Sequence, residues 1–186
     1  MKLSLVIPCY NEEKNIEPFM ECCIETFGNN KNIEYIFIND GSKDNTFSEI
    51  KKIIEKYNTE NIFGINFSRN FGKEAAMYAG FCNSDGDYAA IMDADMQDPP
   101  ALLPDMLHCL ETEDYDSVAT RRVSRIGEPK IRSFFARNFY KLINKISDAD
   151  VVDGARDFRL MKREMVDAIV KMGENNRFSK GIFGWV

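Results

Sequence analysis

The sequence predicts an α/β fold, a largely parallel sheet covered by helices on both faces, and three observations predict it. Short β-branched runs alternate with helix-period patterns through the first 120 residues. The intervening segments have the length of helical crossovers, which join parallel strands. At 186 residues and 44% hydrophobic content, the chain is the size of one large domain and can bury a substantial core.

Taken in order, "LSLVIP" is the first strand, and "NEEKNIEPFMECCIETF" a helix whose acidic first turn suits the positive end of its dipole. "YIFIND" is the second strand. After the turn-rich "DGSKDN", Thr46 and Glu49 have capping-box spacing, and Phe47, Ile50, Ile53, Ile54 and Tyr57 line one helical face. "NIFGINFS" is the third strand, "KEAAMYAGF" the third helix and "YAAIM" the fourth strand. Asp98 is placed to cap a helix with Pro99 at its first position, the helix that carries Leu102, Leu103, Met106 and Leu110. "DSVAT" is the fifth strand. No repeat or low-complexity segment interrupts the series.

In such sheets ligands collect outside the carboxyl ends of the strands. The residues there are Pro8, Asp40, Ser68 with Arg69, Asp93 with Asp95, and Arg121, a polar rim with acids at its centre.

The net charge of −6 and a pI near 5.0 argue against a general nucleic-acid binder. That average hides an asymmetry: from Arg121 to Lys145 eight Lys or Arg stand against Glu128 alone, a local net of +7 that leaves −13 elsewhere. Within that stretch Ile131, Phe134, Phe135, Leu142, Ile143 and Ile146 alternate with Arg137, Lys141 and Lys145. The pattern fits a basic amphipathic helix on an anionic membrane surface, or an ordinary helix facing the core. Cys9, Cys22, Cys23, Cys82 and Cys109 show neither disulfide nor zinc spacing, which suits a reducing compartment. No run approaches the ~18 apolar residues of a membrane span, so the chain as written is expected to be soluble. The closing "GIFGWV" is unlike a polar terminal tail, and a boundary inside a longer protein is expected there.

The stretch "IMDADMQDPP" gathers Asp93, Asp95 and Asp98 directly after an apolar run. Asp93 and Asp95 share a strand end, so both carboxylates can converge on a hard divalent cation such as Mg²⁺ or Mn²⁺, with Gln97 adding an amide oxygen. A solvated turn with Asp98 as a helix cap is the plain alternative. Asp40 can accept hydrogen bonds from a ribose or a base, or simply form the turn in "NDGS". There is no G-x-G-x-x-G and no P-loop, and the single histidine, His108, falls mid-helix. Triad chemistry is therefore not supported. Metal, carboxylates and arginines remain, a set suited to phosphate-bearing substrates.

"LVIPCYNEEKNI", "INDGSKDNT", "SRNFGKEAAMYAGF", "MDADMQDPP" and "GARDFRLMKRE" occur in an order and spacing that resembles family 2 glycosyltransferases. The subgroup they look like loads a sugar onto a polyprenyl phosphate, as dolichyl-phosphate mannose synthases and bactoprenol glucosyltransferases do. The resemblance implies a single GT-A (Rossmann-like) nucleotide-sugar-binding domain over 1–186. Its donor and metal half would be 1–120 and its acceptor, membrane-side half 121–186, with membrane-anchoring helices beyond. It implies Pro8, Tyr10, Glu12 and Asp40 around base and ribose. Lys73, Asp93, Ala94 and Asp95 would stand along the rest of a UDP-sugar, and Asp93, Asp95 and Gln97 would hold Mg²⁺ or Mn²⁺. Asp157 would lie at the reaction centre as base or orienting group. Arg121, Lys130, Arg132 and Ser133 would meet the acceptor phosphate. Arg156 and Lys162 depart from the usual residues at their positions.

The function so implied is inverting transfer of a hexose, glucose by preference, from a UDP-sugar to a polyprenyl phosphate at the cytoplasmic face of the membrane. A homo-oligomer is compatible with it. Two alternatives are a non-catalytic nucleotide-binding module and a HAD-like phosphatase, which would want its D-x-D after the first strand.

Overall fold

The computed structural model describes residues 1–121, 155–172 and 179–185. Its elements are β1 (Leu3–Cys9), α1 (Ile16–Phe27), β2 (Ile33–Asn39), α2 (Thr46–Tyr57), β3 (Ile62–Asn66), α3 (Lys73–Cys82) and β4 (Tyr88–Ile91). A 3₁₀ turn (Pro100–Leu102) then leads into α4 (Leu103–Thr112), β5 (Ser117–Arg121), β6 (Ala155–Lys162), α5 (Arg163–Lys171) and α6 (Ser179–Trp185). They build one six-stranded sheet in the order β3-β2-β1-β4-β6-β5.

Strands β1 to β4 are parallel, as expected. The sheet is nonetheless mixed. Strand β6 runs antiparallel between β4 and β5, pairing Ile91 with Arg159 on one side and Ala119 with Arg159 on the other. The basic helix expected within 131–146, with Lys130, Arg132 and Ser133, lies outside the described residues. Among the described residues no helix is long and apolar enough to cross a membrane.

Side chains alternate across the strands and so divide the core into two layers. Leu5, Ile7, Tyr35, Phe37, Phe158 and Leu160 face α1, α2 and α4, where Phe19, Ile50, Ile53 and Leu103 meet them. Val6, Ile36, Ile38, Ile91 and Met161 face α3, α5 and α6. Burial on both faces explains why β1, β2 and β4 read as largely apolar runs. Helix α3 approaches β1 so closely that a β-carbon at Gly80 would stand 2.2 Å from Val6 Cγ1.

Three helix starts differ from expectation. Helix α1 begins at Ile16 and not at Asn11, which is left-handed at φ 57° and breaks the helical path. The residues before it are bound to the 42–46 loop: Asn11 N–H to Ser42 Oγ (3.0 Å), Glu12 N–H to Thr46 Oγ1 (2.8 Å) and Glu13 N–H to Asp44 Oδ2 (3.1 Å). Helix α2 has no capping box. Asp44 takes that role, accepting the Thr46 N–H at 3.0 Å, while Glu49 pairs with Lys52. Asp98 is no cap either: Pro100 holds Pro99 extended (ψ 134°), so helical turns start only at Pro100.

Candidate active site

The parallel order reverses between β1 and β4, and the crevice at such a switch point is where open α/β sheets bind ligands. A cavity of about 280 Å³ lies at this carboxyl edge, lined by Pro8, Cys9, Tyr10, Glu12, Asp40, Asn70, Gly72, Lys73, Ala76, Asp93 and Asp95. Seven residues singled out in the sequence thus meet in one place. A larger groove of about 580 Å³ lies at the opposite edge, before β2 and β3, where Lys31 and Glu60 are its charged residues; it contains none of the candidate residues.

Two segments form one wall. The carboxylate of Asp40, buried at the end of β2, accepts the Phe71 N–H at 2.7 Å and the Gly72 N–H at 2.9 Å. Next to it Gly41 has φ 62°, and a β-carbon there would stand 2.2 Å from the carbonyl carbon of Arg69. Only glycine permits that approach. Asp40 therefore lines the pocket as expected, yet both its oxygens already hold the 69–72 loop, which Gly72 (φ 94°) hands over to α3.

Lys73, the first residue of α3, is thereby aimed at the crevice. Its ammonium stands 2.6 Å and 2.8 Å from the two oxygens of Asp93 and 2.7 Å from Asp157 Oδ2. Burial disfavours this charge, but the two carboxylates outweigh it and hold the Lys73 pKa above the ordinary lysine value. Asp157 enters from β6, so the acid at the end of β4 and the acid expected at the reaction centre share one cation. Cys9 lies beneath them and is no nucleophile: burial, then the charges of Glu12 and Asp93, push its thiol well above the ordinary range.

The other face of β6 grips the D-x-D loop. Arg156 donates from Nη2 to Gln97 Oε1 (2.8 Å), and its Nε stands 3.1 Å from Asp98 Oδ2. Asp98 is buried; desolvation raises its carboxyl pKa, Arg156 opposes the rise, and Asp93 and Asp95 add to it. Asp95 is exposed and accepts the Gln97 N–H at 3.0 Å.

Gln97, expected at the metal, has its amide oxygen 2.8 Å from Arg156 Nη2, and Ala94, expected along the donor, packs into the core at 1% exposed. Arg121 is exposed at the end of β5, paired in register with Ala155 and so near Asp157 along the sheet edge. Sequence reasoning gave no role to Asn70 or Gly72, or to Arg156 as a contact; their only signal was membership in the "SRNFGKE" and "GARDF" stretches.

Among the described residues no group of three or more His, Cys, Asp or Glu side chains gathers into a ready cage for a metal. The two carboxylates at the end of β4, Asp93 and Asp95, are of a kind that would suit a hard dication. The D-x-D follows β4, while β1 ends in Pro8 and Cys9, which removes the phosphatase alternative.

A family model described as glycosyl transferase family 2 matches residues 4–170. The putative glycosyltransferase CsbB of Bacillus subtilis (strain 168) is 43% identical over 99% of this chain and 55% of its own length. The bactoprenol glucosyl transferase of Shigella phage SfV is 39% identical over 100% of this chain and 60% of its own. The chain thus spans a little over half the length of these curated relatives. Among solved structures, the mannosyltransferase PcManGT from Pyrobaculum calidifontis, in complex with GDP-Man and Mn²⁺, has a TM-score of 0.66 at 19% identity, covering 90% of this chain and 46% of that one. Glucosyl-3-phosphoglycerate synthase from Mycobacterium tuberculosis, in complex with Mn²⁺, UDP-glucose and phosphoglyceric acid, has a TM-score of 0.64 at 22% identity, covering 88% and 57%. These likenesses bear out the GT-A fold.

Proposed function

The chain belongs to glycosyl transferase family 2, and on that premise we propose that it moves a hexose, glucose by preference, from a UDP-sugar to a polyprenyl phosphate with inversion. One observation carries the proposal: Lys73 joins Asp93, on the donor side, to Asp157, on the acceptor side, within one crevice. The naming of 39%-identical relatives as bactoprenol glucosyl transferases supports glucose and the lipid acceptor.

Asp93 and Asp95 would hold Mg²⁺ or Mn²⁺, which when bound supplies counter-charge to a leaving diphosphate. Pro8, Tyr10 and Glu12 line the cavity and would stand around base and ribose, with the Asp40-pinned loop as a further wall. Lys73 keeps its proton at neutral pH and holds Asp157 in place. The acceptor needs little deprotonation, because a phosphate monoester has its second pKa near ~6 and is mostly dianionic at pH 7. Asp157 therefore orients the attacking oxygen more than it removes a proton. Arg121, at the exposed end of β5, opens the basic stretch that would meet the acceptor phosphate and the anionic cytoplasmic leaflet.

The test is calorimetry of UDP with and without Mn²⁺, followed by transfer from UDP-glucose to a short polyprenyl phosphate. Asp95→Asn should lower the Mn²⁺-dependent part of UDP affinity by roughly tenfold or more. UDP binding without any acceptor-dependent release of UDP would instead favour a non-catalytic nucleotide-binding module.

A further inference from the structure

We propose that Glu74 is a positioning residue that straps α6 to α3 and thereby holds Lys73 between Asp93 and Asp157. The inference rests on the active-site reading above and deepens it. Glu74 follows Lys73 in the first turn of α3. Its two oxygens each stand 3.2 Å from the Ser179 nitrogen, whose N–H is the first of α6, and the Ser179 hydroxyl donates to the same carboxylate. Helix starts are ordinarily capped by a side chain next to them in sequence. Here the acceptor comes from 105 positions away, so the cap also fastens one element to another.

A second fastening lies further along α6. Phe183 lies against the Arg159 guanidinium, 4.8 Å from its central carbon to the ring centroid, and Arg159 Nη1 donates to Ser117 Oγ at 2.7 Å. Arg159 stands two positions after Asp157 on β6 and therefore on the same face of the sheet. Ser179, Ile182 and Phe183 are all buried, the last two among Met77, Phe81 and Ile169. Helix α6 is thus tied beside Lys73 on α3 and beside Asp157 on β6. The spacing of those two elements decides whether the Lys73 ammonium reaches Asp157, 2.7 Å away.

The experiment compares Glu74→Ala, Glu74→Gln, Ser179→Pro and the double variant of Glu74→Ala with Ser179→Pro. Each is followed in metal-free protein by thermal denaturation and by the nitrogen NMR resonance of the Lys73 ammonium, identified by its absence from Lys73→Met. An ammonium held by carboxylates keeps its protons long enough to be seen, and a solvated one loses them to water. Gln keeps an oxygen for the Ser179 N–H, whereas Pro removes that N–H and the hydroxyl together while suiting the first position of a helix. The resonance should vanish in Glu74→Ala and Ser179→Pro and survive in Glu74→Gln. Transfer from UDP-glucose to a short polyprenyl phosphate should fall roughly tenfold or more in the same two variants, the scale of a reacting group misplaced by about an ångström. The double variant should lose no more than either, because one linkage is cut in each. Ser179→Pro leaves α3 untouched, so it makes the test should Glu74→Ala fail to fold. A resonance that survives both cuts overturns the proposal even where the midpoint falls, because Glu74 would then be a cap alone. Loss in Glu74→Gln equal to that in Glu74→Ala also overturns it, since the charge and not the strap would be the cause. Loss in both cuts with survival in Glu74→Gln, beside a wild type that transfers no glucose, supports the strap and overturns the reaction proposed above.

Discussion

Asp40→Asn separates two roles for one carboxylate. The side chain is 3% exposed, and its oxygens accept backbone N–H groups from Phe71 at 2.7 Å and Gly72 at 2.9 Å. The amide keeps the shape but turns one acceptor into a donor facing a donor. A hydrogen bond to a charged group contributes about 1.5–3 kcal/mol, and one is lost outright while the other is weakened. A cost of about 2–3 kcal/mol follows. For a chain of this size that lowers the thermal midpoint by roughly 4–12 °C. The same loop orients Lys73, so UDP affinity and transfer should fall with stability. Thermal denaturation at pH 7, beside calorimetry with uridine and UDP, measures both. A variant with the wild-type midpoint that has lost uridine would refute this reasoning, since Asp40 would then be a nucleoside ligand and not the loop's anchor.

Gly41→Ala should cost about 3 kcal/mol or more in urea denaturation, combining a left-handed backbone with a β-carbon 2.2 Å from Arg69. Burial tends to raise the Asp44 carboxyl pKa, but hydrogen bonds from the Thr46 hydroxyl and N–H outweigh it and hold the value below the ordinary one. A depressed carboxyl contributes stability above its unfolded pKa and loses it as pH falls through the folded one. Asp44→Asn should accordingly be less stable than wild type at pH 6, with the two denaturation curves converging as the pH falls below the ordinary carboxylate range. Glu34→Ala removes a buried carboxylate that pairs with Lys2 at 2.7 Å and accepts the Asp85 N–H at 3.0 Å. It should cost about 1–3 kcal/mol, since the buried Ser4 hydroxyl and the Asp85 N–H lose their acceptor while Lys2 keeps Asp85, yet leave UDP affinity at 15 °C intact, because the network lies at the opposite edge of the sheet.

What could be read from the sequence was what is local. Strands β1 to β4 announce themselves as β-branched runs, and the residues that end them, Pro8, Asp40, Asp93 and Asp95, meet because a parallel sheet gathers its carboxyl ends on one edge. Strand β6 was hidden for two reasons. In "ARDFRLMK" the period of two is blurred, since Leu160 and Met161 are both buried, each in a different layer. Its place between β4 and β5 depends on pairings across some 70 residues of chain, to which no local pattern points. The start of α1 failed similarly, because what unwinds residues 11–15 is a set of bonds to a loop some 30 positions away. Arg156 looked like a departure from a motif until its partners were visible.

The placement of β6 also sets an order of assembly. A nascent chain that has emerged as far as Thr112 already contains β1 to β4 and every donor-side acid, but β4 is then an open edge with its ladder groups unpaired. Strand β5 does not close it, since β5 joins the sheet only through β6. Such non-local pairing comes late and slowly. The last event in building the sheet is therefore the one that delivers Asp157 to Lys73, and a partly synthesised or stalled chain would be able to stick to its neighbours before that crevice is complete.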